Sequence, residues 1–242
     1  MDKPDLTFSQ AIEKVLLDNN YSASLKKIYK EFEKYRPLTG KTPYYSIQER
    51  VQRDPRFTRI GLGVYALTEY LEKLPKETVP KSKEQEEGRL HYRIQGMLLE
   101  IGAYKDFETY SPNKKAIFNN RTLSSIMTFN KCPNFTYPRV ISKIQHIDVL
   151  WINERGYPKH VFEVEISPQF PKAFLKFMEL QDFMSSFYII SDSQNEIGFL
   201  KEISSPIFLE IKARCKFWSI DQINDLYDKS LEGHKIDKLM FI

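Results

Sequence analysis

Apolar positions recur at helical spacing in the opening stretch of the chain. Over residues 7–20, TFSQAIEKVLLDNN, the side chains of Phe8, Ala11, Ile12, Val15 and Leu16 make one apolar face. Thr7 or Ser9 suits the start of this helix, and Asn19 with Asn20 suits its end. The spacing returns at Leu25, Ile28, Tyr29 and Phe32 in SASLKKIYKEFEKY, and after RPLTGKTP a third helix is predicted over YYSIQERVQRD. The pattern then changes to that of a hairpin. In PRFTRIGLGVYALTEY, Phe57 and Ile60 precede a Gly61-Leu62-Gly63 turn, and Val64, Tyr65 and Leu67 follow it.

Residues 74–88, LPKETVPKSKEQEEG, carry two prolines, many charges and few large apolar groups, and read as a linker. A helix is predicted over EEGRLHYRIQGMLLEIGAY from Leu90, Ile94, Met97, Leu98 and Ile101, then a first strand over YKDFETY. Ser111 to Lys143 resists assignment apart from a short helix near Leu123–Met127. Two strands, IDVLWI and HVFEVEI, flank the turn NERGYPK. A helix over PKAFLKFMELQDF, a buried strand in SSFYIISDS, and a helix, strand and terminal helix complete the chain. Helices alternating with strands around a central hairpin predict an α/β domain with a mixed sheet flanked by helices.

The 242 residues suffice for one large domain or two modest ones. The reading is a module over 1–73, a linker over 74–86 and a second module over 87–242. No stretch approaches a membrane span, the first residues hold no apolar signal core, and Cys132 and Cys215 form no zinc-binding pair, so a cytoplasmic setting is expected. The four histidines, His91, His146, His160 and His234, are scattered, against a zinc site. The net charge is +4, yet Ser22 to Gly63 alone holds ten Lys and Arg against four acids. Three helices, a two-stranded wing and this charge predict a small winged helix-turn-helix domain that tethers nucleic acid.

Three acids interrupt the strand-like stretch HIDVLWINERGYPKHVFEVEIS. Charges in a strand cost free energy unless something compensates them. A turn centred near Gly156 places Asp148 opposite Glu163 or Glu165, and alternation puts both glutamates on one face. Like charges facing across strands are destabilising, and a bound Mg²⁺ removes that cost. An ordinary half-exposed acidic sheet face is the alternative, weakened by the apolar run around Asp148.

With IDVLW, VFEVEIS and a following FMELQDF helix, the second module resembles the PD-(D/E)XK nuclease superfamily, especially its restriction-endonuclease-like members. The resemblance covers roughly residues 87–230. It implies that Asp148, Glu163 and the Val164 carbonyl hold Mg²⁺, with Glu165 standing where lysine is usual. Glu165 is then the base acting on water, a second metal ligand or the mark of lost activity. The acid on the preceding helix would be Glu100, or else Glu87, and Lys176 or Lys143 would be a displaced lysine. His146 lies two residues before Asp148 and lines the cleft or serves structure.

The stretch TGKTPYYSIQERVQRDPRFTRIGLGVYAL resembles the winged-helix module called HARE-HTH over residues 6–72. In this reading Thr42 caps the third helix with Pro43 at its first position. Tyr44, Gln48, Gln52 and either Tyr45 or Arg50 face base edges, while Lys41, Arg53, Arg56 and Arg59 meet phosphates. Phe8, Phe32, Phe57 and Tyr65 read as core. The expectation is a Mg²⁺-dependent endonuclease of double-stranded DNA, a type II restriction enzyme acting as a homodimer. The alternative is a catalytically inactive nuclease-fold DNA-binding protein.

Overall fold

Helix α1 (Phe8–Asp18) begins at a capping box, in which Thr7 accepts from the Gln10 N–H and the Gln10 side chain accepts from the Thr7 N–H. This computed structural model describes residues 6–240, with side chains described to residue 233, so the outermost residues of both expected modules and the side chain of His234 lie outside the described residues. Strand β1 (Ser22–Ser24), helix α2 (Leu25–Phe32), helix α3 (Pro43–Arg53) and strands β2 (Phe57–Gly61) and β3 (Val64–Leu67) follow. The sequence reads Ser22–Ser24 as the start of a helix. Instead Asn20 and Tyr21 adopt left-handed backbone, Tyr21 stacks on Tyr70, and the chain reverses to pair β1 with β3. The result is an antiparallel sheet of order β1-β3-β2 against three helices. Thr42 holds the cap position of α3 with Pro43 in its first turn, but its side chain makes no capping hydrogen bond.

A 3₁₀ turn (Thr68–Lys73) leads to α4 (Lys83–Tyr104), which starts inside the expected linker because Ser82 caps it by accepting from the Gln85 N–H. The rest of that stretch is tied down: Glu77 pairs with Arg89 and accepts from the Asn119 N–H. Then come β4 (Glu108–Tyr110), a small hairpin of β5 (Ile117–Phe118) and β6 (Arg121–Thr122), α5 (Leu123–Ile126) and α6 (Pro138–Ile144). Strands β7 (Val149–Ile152) and β8 (Pro158–Val164) form the central hairpin. Helix α7 (Phe170–Met178), strand β9 (Ser186–Ser191), helices α8 (Glu196–Ile203) and α9 (Leu209–Lys212), strand β10 (Cys215–Ser219) and helix α10 (Ile220–Met240) complete the chain.

The larger sheet has the order β10-β9-β8-β7-β4 and is mixed: β4, β7 and β8 pair antiparallel, while β8–β9 and β9–β10 are parallel. Alternation along the strands gives two apolar faces. Val149, Trp151, Phe162 and Val164 pack with α4 residues such as Ile94 and Leu98, and Leu150, Val161 and Phe187 pack with Phe174 and Phe177 of α7. Helix α4 approaches β7 closely at Gly102, where a Cβ would meet the Trp151 ring, and Trp151 Nε1 donates to the Leu98 carbonyl. Burial of both faces makes the hairpin strands nearly continuous apolar runs, so each polar position within them is exceptional.

The first module is docked on this body. Leu62, at the tip of the β2–β3 hairpin, joins the core that contains α4. Lys27 is fully buried and donates to the Ser124 carbonyl and Asn130, while Lys26 and Lys30 pair with Asp106 and Glu108.

Candidate active site

The hairpin register pairs Val149 with Phe162, so Asp148, one residue before β7, stands opposite Glu163. Asp148 is 8% exposed and Glu163 2%. Asp148 accepts from Gln95 Nε2 at 2.8 Å through Oδ1 and from the Val164 N–H at 2.8 Å through Oδ2, with His91 Nε2 3.2 Å from the same oxygen. His91 and Gln95 lie one turn apart on α4 and so share a face. Asn113 extends the chain of contacts, its amide donating to Gln95 at 3.0 Å. That i, i+4 pair was the sequence signal for two residues which the scattering of histidines concealed.

Glu163 turns to the other helical layer. Lys176 of α7 donates to both its carboxylate oxygens, at 2.9 and 2.7 Å, and to the His146 carbonyl at 3.1 Å. Burial and the facing Asp148 push the Glu163 carboxyl up to about 8 despite that ammonium. Glu165 follows β8 and is half-buried; burial raises its carboxyl, while the Gln169 N–H at the start of α7 donates to it at 2.8 Å. The three acids therefore lie at the same end of the sheet, with Lys176 hydrogen-bonded to Glu163. The side chain of His146 is exposed, and Glu87 accepts from the Ser167 hydroxyl.

Glu100 is elsewhere. A residue five positions beyond Gln95 is rotated far around the helix from the face that meets Asp148. Its carboxylate is fully buried and accepts from the Arg121 guanidinium, the Leu62 N–H at 2.9 Å and the Tyr227 hydroxyl at 2.7 Å. The expectation that Glu100 joins the hairpin acids is thus corrected: it ties the β2–β3 hairpin and α10 to α4. Among the described residues no group of three or more His, Cys, Asp or Glu side chains is arranged to hold a metal ion. Cys132 and Cys215 are free, and burial pushes their thiols up to about 11 and about 12.

In the first module Lys41, Thr42, Tyr44, Tyr45, Arg50 and Arg53 are exposed, and Gln48 and Gln52 are half-buried. Arg53 pairs with Glu49, Arg56 with Asp54 and Glu13, and Arg59 donates to the Gly61 carbonyl. With Lys26, Lys30 and Lys34 also paired, much of the local basic excess is neutralised within the chain.

This is a mixed α/β protein whose central hairpin carries buried carboxylates at one end of its sheet, met there by a histidine of α4 and a lysine of α7. The chain belongs to a restriction-enzyme family: residues 73–240 match the family described as the type II restriction enzyme NmeDI C-terminal domain. That membership supports a restriction endonuclease acting on DNA. No curated protein and no solved structure matches the chain. Among the described residues no helix is long and apolar enough to cross a membrane.

Proposed function

We propose that the chain is a Mg²⁺-dependent type II restriction endonuclease of the PD-(D/E)XK kind, hydrolysing phosphodiester bonds of double-stranded DNA. The observation that carries this is Asp148 facing Glu163 at the sheet end, inside the stretch that matches the restriction-enzyme family. Two buried carboxylates facing each other are costly without a cation, and oxygen donors with room for retained waters suit Mg²⁺. Asp148, Glu163 and the Val164 carbonyl would hold the ion, which when bound polarises the phosphate and acidifies its water.

The side chains divide the remaining work. His91 and Gln95 orient Asp148 from α4. Lys176 takes the charge role of the usual lysine from a different element, and on ion binding its ammonium is free to face the scissile phosphate. Glu165 accepts the proton of the attacking water; the water oxygen bonds to phosphorus, and the leaving oxygen departs with the electrons of the broken P–O bond.

The first module is proposed as a winged helix in which α3 meets DNA. Lys41, Thr42, Tyr44, Tyr45, Gln48, Gln52 and Arg53 are its contacts, and Arg56 and Arg59 contribute on exchanging their internal partners for phosphate. Cutting both strands calls for a homodimer whose two-fold axis matches that of the site.

A second reading, a DNA-binding protein with residual acids, draws on the lack of a three-group metal set among the described residues. Digestion of supercoiled plasmid with Mg²⁺ separates the two. The nuclease reading expects nicked and linear products from wild type and none from Asp148→Ala. Intact plasmid with wild type on varied DNA, together with no Mg²⁺ binding by calorimetry, favours the second reading.

A further inference from the structure

Residues 109–147 contain six Lys and Arg and no Asp or Glu. At the chain's overall density of 32 acids in 242 residues, such a stretch would carry about five. The segment begins at β4 and ends one residue before Asp148, so it frames the carboxylates on both sides.

On one side Asn113 reaches Asp148 through Gln95, and the next two residues, Lys114 and Lys115, are exposed. A cleft of about 830 Å³ opens there between this loop, residues 77–82 and the first half of α4, lined by Lys115, Lys81, Arg89 and the exposed Tyr92. Glu77 and Glu84 line it too, and Glu77 is paired with Arg89. On the other side the His146 carbonyl accepts from the lysine that holds Glu163. Lys143, three residues earlier, and Arg139, one further turn back on α6, are exposed. Arg139 lies over the ring of Tyr137, itself 71% exposed.

Among the described residues none of Lys114, Lys115, Arg139 and Lys143 makes an ion pair. Lys26, Lys30, Lys34, Arg53 and Arg56 of the first module are all paired. Charges already matched by carboxylates gain less from a phosphate than charges that have only water around them.

We propose that the acid-free segment 109–147 is the phosphate-backbone track of the substrate duplex, with Lys114 and Lys115 on one flank of the carboxylates and Arg139 and Lys143 on the other. The track rests on the nuclease reading for its location at a cleavage site. It goes beyond that reading by adding a sequence-independent phosphate track on the body to the contacts proposed for the first module. Phosphate contacts fix register on the duplex, so the two flanks also set which phosphate lies over Asp148 and Glu163.

The test is fluorescence anisotropy of the full chain on a duplex of about 30 base pairs across a salt series with Ca²⁺ present, alongside plasmid digestion with Mg²⁺. The double variants Lys114→Ala/Lys115→Ala and Arg139→Ala/Lys143→Ala are each expected to flatten the plot of log K against log salt by about 2, with unchanged thermal melts. Arg155→Ala/Lys159→Ala, at the turn end of the central hairpin, is expected to keep the wild-type slope. Wild-type slopes in both track variants, with wild type cutting DNA, overturn the track and leave the nuclease reading standing. Flattened slopes without cutting by wild type support a DNA track and remove the nuclease. Wild type that neither binds nor cuts removes both.

Discussion

Removal of the Glu100 carboxylate tests its reassignment from the acids of the hairpin to the joint between modules. In Glu100→Ala the Arg121 guanidinium, 1% exposed, loses its only carboxylate partner among the described residues, and the Leu62 N–H and the Tyr227 hydroxyl lose an acceptor. Breaking a buried ion pair by deleting one partner costs about 3–5 kcal/mol, and an orphaned buried N–H about 1–3, the two overlapping rather than adding. A loss of about 4 kcal/mol is expected in urea unfolding, or roughly 8–16 °C in melting temperature for a chain of this size. Glu100→Gln keeps an acceptor for Leu62 and Tyr227 and is expected to lose about half as much. Neither change should alter Mg²⁺ affinity in calorimetry. A loss below about 1 kcal/mol with weakened Mg²⁺ binding would refute this reasoning and return Glu100 to the metal.

Gly61→Ala attacks the same joint from the hairpin tip: the added methyl would lie 2.7 Å from Arg121 Cζ and 2.8 Å from Glu100 Oε1, so a loss of about 1–3 kcal/mol is expected in denaturant midpoint. His91→Ala removes an orienting partner of Asp148 at the half-exposed edge of the site; single-turnover cleavage should fall about 10–100-fold with little change in melting temperature. His160, among Phe107, Trp151 and Tyr188, has its imidazole pulled down to about 4 by burial and then by Lys159 and Lys216. A lowered folded value means that stability is full above the unfolded value of 6.5 and is lost as pH falls toward 4. His160→Gln should therefore show a flatter urea midpoint between those pH values, and an unchanged slope there would contradict the assignment.

The central hairpin was legible because two periodicities agree in it. Alternation set the faces of Phe162, Glu163 and Val164, and the turn near Gly156 set the register within two residues, so Asp148 opposite Glu163 was among the outcomes read from the chain. Helix α4 was legible as a helix, but the face it turns to Asp148 was not. Charge drew attention to Glu100, on another face of the helix, while the polar contacts to Asp148 come from His91 and Gln95. Strand β1 escaped because Ser22–Ser24 has no strand pattern of its own and exists by pairing with β3 after the left-handed turn at Asn20 and Tyr21. The basic excess of the first module was countable, yet which charges are spent on Asp106 and Glu108 depends on how the two modules meet. Local spacing carries no information about that meeting.

The most direct measurement is a time course of Mg²⁺-dependent DNA cleavage by wild type and by Glu163→Gln, which keeps the side chain's size and removes its charge. Cleavage by wild type that stops on chelation, with a loss of at least about a hundredfold in the variant, is the result expected of a site built on Asp148 and Glu163. Equal rates for the two proteins, or cleavage that continues in chelator, would contradict it.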